Sequence, residues 1–167
     1  MSASASALLF GDRPTLADAR FGADPMSAVW WLASRSELHR KWAVSEIERL
    51  FRPAIVTGQI RFYWTDEGEP AGLATWTELP LQAIQDLVAG TLRLEHRHWT
   101  GYDHWPVHHT LHTLIVDMIA RPGTCRLIVN DLRAKFRGKT CFARRTTNGK
   151  RRLAMFRGYD DVAIRAA

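Results

Sequence analysis

His39 lies in the stretch SRSELHRKW (residues 34–42), with Ser34 and Ser36 before it and Arg40 and Lys41 after it. An imidazole titrates nearest neutral pH of all unperturbed side chains, so beside a buried carboxylate it can act as a general base. A lone histidine just past a helix is also a common structural residue, and residue type alone does not separate the two readings. The candidate carboxylate is Asp117, inside the apolar run LIVDMIA. An ionised carboxylate there costs several kcal/mol unless it is paired. Strand alternation sets Leu114, Val116 and Met118 on one face, and Ile115, Asp117 and Ile119 on the other. Asp117 also comes just before a turn, where α/β folds tend to build their sites. A carboxylate that caps a helix or pairs with an arginine fits the same pattern.

The other histidines, His96, His98, His104, His108, His109 and His112, supply H-x-H and H-x-x-x-H spacings. The longer spacing needs a helix to bring both rings to one face, and HHTLHTLIVD reads as a strand. Neither Cys125 nor Cys141 sits at metal-ligand spacing, so no metal is expected. The turn ARPGTC, with Arg121 and Gly123, precedes a helix whose N-terminus suits an anion. Its single glycine makes it neither a P-loop nor a dinucleotide fingerprint.

Charge adds a second kind of candidate. The formal net charge is +6, and residues 132–158 hold ten Lys or Arg and no Asp or Glu. Arg133, Lys135, Arg144, Arg145, Arg151 and Arg152 fall in that stripe, which attracts acidic partners or is a solvated basic face.

These residues need a scaffold, and 167 residues suffice for one domain with a sizeable core. No apolar run approaches the roughly 18 to 20 residues of a membrane span. The start lacks the charged and apolar regions of a secretory signal, so a reduced, cytoplasmic setting is expected. Residues 1–24 read as a loosely ordered arm and 25–167 as the folded domain. DPMSAVWWLASRS predicts a helix with Asp24 as N-cap and Pro25 at its first position. WAVSEIERLFRPAI predicts a second helix, ending near Pro53. GQIRFYWTDEGEPAGLATWTEL reads as a hairpin, and PLQAIQDLVAGTL as a short helix stopped by Gly90. A strand through LIVDMIA, an amphipathic helix through TCRLIVNDLRAKF and a hairpin turning at Asn148-Gly149 complete the order α, α, β, β, α, β, α, β, β. That is one mixed α/β domain.

The motif S-x-L-H-R-x-W (Ser36 to Trp42), the helix ending RPAI, the strand AGLATWTEL and the run LIVDMIARPG occur in an order that resembles the RTX toxin-activating lysine acyltransferases. The resemblance runs from about Met26 to about Gly158. It implies a variant of the GNAT fold with a central, mostly antiparallel sheet flanked by helices. It also implies a homodimer that takes its acyl group from the phosphopantetheine of acyl carrier protein and passes it to internal lysines of a protoxin. No bound cofactor is implied. The family's catalytic histidine falls on His39, its essential aspartate on Asp117 and its preceding serine on Ser36. Lys41 departs from the pattern, standing where an asparagine is familiar, so any orienting role of that asparagine does not carry over.

The two readings support one another. A carrier-protein donor has no ADP to hold, which suits the weak pyrophosphate cradle at Arg121 and Gly123. The basic stripe offers an acidic carrier a docking surface. Two other functions fit part of the sequence: a basic nucleic-acid-binding module, with Phe136, Phe142 and Phe156 interleaved among cations, and a GNAT relative using acyl-CoA on a small amine. The first leaves His39 and Asp117 without a task; the single glycine argues against the second. No stable membrane insertion is expected.

Overall fold

A computed structural model describes residues 9–11, 24–100, 105, 110–147 and 150–159. Its strands are β1 (Leu9–Gly11), β2 (Ile60–Trp64), β3 (Pro70–Pro80), β4 (Leu111–Ala120), β5 (Thr140–Thr147) and β6 (Lys150–Arg157). Its helices are α1 (Pro25–Arg35), α2 (Val44–Val56), α3 (Leu81–Ala89) and α4 (Cys125–Lys135), with short 3-10 turns at His39–Lys41 and His96–Trp99. The sheet runs in the order β1-β2-β3-β4-β5-β6. The pairs β1–β2 and β5–β6 are antiparallel, whereas β4 and β5 are parallel. Parallel neighbours cannot be joined by a tight turn, and α4 is the crossover this pair requires. No helix among the described residues is long and apolar enough to cross a membrane.

The chain divides into two compact units, the first formed by Met1–Ala74 with Met118–Ile128, the second by Thr75–Asp117 with Val129–Ala167. In the first, Asp24 caps α1 as expected: its carboxylate accepts from the Met26 N–H at 3.0 Å, with Pro25 in the first turn. Helix α1 buries Met26, Val29 and Leu32, and α2 packs beside it with Ile47, Leu50 and Phe51 inside. Helix α2 does not stop at Pro53; it continues to Val56. Proline removes its own N–H and crowds the carbonyl four residues back, yet a final turn forms once the later donors are satisfied. Here Thr57 N–H and Gln59 N–H donate to the carbonyls of Pro53 and Ala54, at 2.9 and 2.8 Å. The turn between β2 and β3 closes through Thr65 N–H to Glu69 O at 2.9 Å, with Gly68 at φ +74°.

One short segment of the expected arm is described. Leu9–Gly11 form β1, an edge strand in register Leu9↔Trp64, Phe10↔Tyr63 and Gly11↔Phe62. Backbone pairing with β2 holds it, and three residues are too few to show strand periodicity in sequence. Residues 1–8 and 12–23 lie outside the described residues.

In the second unit, α3 buries Ala83, Ile84 and Leu87, ends at Gly90 (φ +86°) and packs on β6. The β5–β6 register runs from Thr140↔Arg157 to Thr147↔Lys150, which leaves two residues for the connection. Asn148 and Gly149 themselves are outside the described residues. Trp76 meets Phe136 edge-on at 5.5 Å and lies under Lys135 Nζ at 4.6 Å.

Candidate active site

Ser36 and His39 are built by the end of α1. Ser36 closes the helix in extended conformation (φ −83°, ψ 127°), and its N–H reaches the carbonyls of Leu32 and Ala33. The chain then folds into the 3-10 turn His39–Lys41, held by Arg40 N–H to Ser36 O at 3.0 Å and Trp42 N–H to His39 O at 3.0 Å. This tight reversal returns the imidazole to the serine: Ser36 Oγ is 2.7 Å from His39 Nδ1. The same hydroxyl oxygen accepts the His39 backbone N–H at 3.4 Å.

His39 is only 3% exposed. Trp42 lies against it with centroids 4.5 Å apart, and Phe51 at 6.3 Å. A hydroxyl has two acceptor lone pairs. Where that oxygen accepts from Nδ1–H, Nε2 carries the ring's lone pair; where the hydroxyl donates to Nδ1, Nε2 carries the proton. Trp42 was visible in the S-x-L-H-R-x-W motif without a role, and Phe51 only as an apolar helix position. The signal for both was aromatic residues three and twelve positions after the histidine.

Asp117 lies in the second unit, half-buried near the end of β4. Its backbone carbonyl accepts from Thr75 Oγ1 at 3.5 Å. The β4–β5 register covers Thr113↔Cys141, Leu114↔Phe142 and Ile115↔Ala143, while the strands continue to Ala120 and Thr147. Asp117 therefore stands two residues beyond the last of those pairs.

Arg121 and Gly123 belong to the first unit. Arg121 N–H donates to Ala71 O at 2.9 Å, and its guanidinium pairs with Glu69 at 3.1 Å and lies 5.7 Å above Trp31. Gly123 has φ +88° in the turn that starts α4, where Thr124 Oγ1 donates to Arg121 O at 2.9 Å. The guanidinium thus has a carboxylate already, and the turn is stitched to β3.

In the basic stripe, Arg133 donates to Arg157 O at 3.1 Å and stacks over Tyr159 at 4.7 Å. Lys135 covers Trp76, while Arg144 and Arg152 are exposed on the β5–β6 hairpin. The side chains of Arg145 and Arg151 are outside the described residues; the backbone register sets Arg145 opposite Arg152, and Arg151 opposite Thr146.

The histidine-rich segment resolves differently. His98 is buried; its Nδ1 accepts from Glu95 N–H at 2.8 Å, its carbonyl accepts from Thr77 at 2.6 Å, and its ring stacks on Trp105. His112 meets Phe142 edge-on at 5.6 Å. His104, His108 and His109 lie outside the described residues. Among the described residues, no group of three or more His, Cys, Asp or Glu is placed to hold a metal ion.

The chain is thus a mixed α/β protein with a buried histidine bonded to the serine three residues before it. The profile of the RTX toxin acyltransferase family matches residues 23–157, and the chain belongs to that family. It is similar to the lysine-acyltransferase RtxC of Vibrio cholerae, with 27% identity over 110 residues, covering 66% of this chain and 67% of that protein. It is also similar to the RTX-II toxin-activating lysine-acyltransferase ApxIIC of Actinobacillus pleuropneumoniae, with 29% identity over 112 residues, covering 66% and 64%. The match thus spans about two thirds of each relative's length. Among solved structures, a histone acetyltransferase HPA2 and related acetyltransferase from Corynebacterium glutamicum is 15% identical, with a TM-score of 0.35 over 77% of this chain and 62% of that one.

Proposed function

We propose that this chain transfers a fatty acyl group from the phosphopantetheine thioester of acyl carrier protein to lysine ε-amines of an RTX protoxin. The observation that carries the reading is the buried Ser36–His39 pair at 2.7 Å, inside a segment matched by the acyltransferase family. A lysine amine with pKa near 10.4 is only about one part in a few thousand neutral at pH 7, and only the neutral form attacks a thioester. His39 Nε2 takes the amine proton as nitrogen bonds to the thioester carbon. The tetrahedral intermediate then expels the pantetheine thiolate, and the imidazolium returns its proton to that sulfur. Ser36 holds the imidazole through Nδ1, and Asp117 takes the role that the resemblance gives the family's essential aspartate. The parallel β4–β5 pair with its α4 crossover supports the GNAT-like reading, in which two splayed strands admit the donor's arm. The basic residues Arg133, Lys135, Arg144, Arg145, Arg151 and Arg152 steer the acidic carrier. A cytoplasmic setting and a homodimer come with the family reading.

The test is transfer of a labelled acyl group from acyl carrier protein to a lysine peptide of a protoxin, read by mass. Transfer by the wild-type chain and its loss in His39→Gln support the reading; transfer that survives His39→Gln unchanged overturns the role of the base. Quenched mixtures without acceptor address direct attack: an acyl-enzyme that forms quickly and then transfers replaces it with a covalent route.

A further inference from the structure

We propose that Leu38, Arg40, Lys41 and Val44 form the landing surface for the acyl-carrying protein, an inference that rests on the carrier-protein reading above. The turn that buries His39 to 3% exposure leaves Leu38 60% exposed and Val44 66% exposed, with Arg40 and Lys41 also in solvent. In a 3-10 turn successive side chains point about 120° apart, so one inward residue forces its neighbours outward. Single exposed apolar residues need no explanation. Here two of them bracket two cations within seven residues, in the same stretch of chain as the base.

The cations are unspent. Arg49 and Arg52, farther along α2, are paired with Glu46 and Glu48 of the same helix. Arg40 and Lys41 have no ion pair among the described residues, and no carboxylate occurs from Leu38 to Val44. Glu37 precedes the stretch, and Arg35 beside it is engaged, folded over Trp31 at 3.8 Å.

This combination selects the donor over the acceptor. An acidic carrier brings carboxylates and the phosphodiester at the root of its arm, both suited to Arg40 and Lys41. The acceptor presents a lysine, which the same cations repel. Position agrees: Arg40 and Lys41 are one and two residues beyond His39, so their backbones lie within about 8 Å of it. The stripe of residues 133–157 acts over longer range and raises the association rate, whereas a contact beside the base fixes the final register.

The experiment is equilibrium binding of labelled holo acyl carrier protein to the full chain, compared across variants whose folding is verified by thermal melts. Arg40→Glu with Lys41→Glu is expected to weaken binding at least about tenfold, and Leu38→Ser with Val44→Ser several-fold. Arg40→Ala with Lys41→Ala provides a milder pair should the charge reversal fail to fold. Equal binding by wild type and variants overturns the surface, as does a loss confined to Arg144→Glu with Arg152→Glu, or no binding by the wild-type chain. A wild-type chain that binds through these residues but transfers no acyl group leaves the surface standing and removes the transfer reading alone.

Discussion

Ser36 ends helix α1 and, with the same side chain, holds His39 Nδ1 at 2.7 Å. Removing that hydroxyl should free the ring without emptying the pocket. A neutral hydrogen bond contributes about 1 kcal/mol, so Ser36→Ala is expected to lower kcat about fivefold, and Ser36→Thr to restore most of it. Steady-state kinetics check the orienting role, because loss of the Nδ1 partner lowers kcat with KM unchanged, whereas a purely structural loss lowers the thermal midpoint.

His39→Gln keeps much of the buried volume between Trp42 and Phe51 but cannot cycle a proton at neutral pH. Transfer should fall by about a hundredfold or more, with the thermal midpoint within a few degrees of wild type. Asp117→Asn is expected to give a smaller loss of the same kind, in kcat more than in KM. Single-turnover rates with saturating acyl carrier protein provide the measurement.

Two glycines are set by close approach rather than by turn geometry. A Cβ on Gly72 would meet Ile128 Cδ1 at 2.6 Å and the Ile119 carbonyl at 2.7 Å. One on Gly158 would lie 1.9 Å from the Phe136 carbonyl oxygen. Gly72→Ala should cost about 1–3 kcal/mol, and Gly158→Ala at least as much, since its obstacle is backbone. By contrast, Gly68→Ala meets no atom within 4 Å, and its φ of +74° leaves a cost of only about 1 kcal/mol. Urea midpoints of the three variants check the ranking.

The two cysteines should separate by reactivity. Cys125 is exposed at the start of α4, and Cys141 is buried in β5. Burial pushes the Cys141 thiol above its ordinary pKa, opposed by the Lys139 charge and a hydrogen bond with Thr113. A thiol reagent at about pH 8 should therefore titrate one group in the native chain and two after denaturation. The stability consequence has a definite sign. The unfolded chain ionises this thiol first, so its contribution is intact below about pH 8.5 and is lost as pH rises through the folded-state value. Cys141→Ala should remove that part of the alkaline slope in urea midpoints.

Much of the scaffold was legible because its signals are local. Asp24-Pro25 and Gly90 mark helix ends through backbone chemistry that needs no tertiary context. β1 was invisible because its pairing is entirely with β2, and Pro53 misled because a proline near a helix's end costs one hydrogen bond rather than the helix. At the site, Ser36 and His39 were legible as types and spacing. Their bond was not, since it depends on the 3-10 turn after α1. The histidine-rich segment shows the converse: His98 looked like a ligand by spacing, and its ring nitrogen closes a turn instead.

Helix α1 is fixed at one end by Asp24 and delivers the hydroxyl at the other, eleven helical residues later. It therefore works as a ruler. At 3.6 residues per turn, one residue inserted or deleted would swing the serine and the turn after it about 100° around the axis, and carry the ring away from Phe51. Sequence change along this segment is thus tolerable by substitution but not by length, and grafting the Ser36–His39 turn onto another scaffold would require taking the whole helix with it.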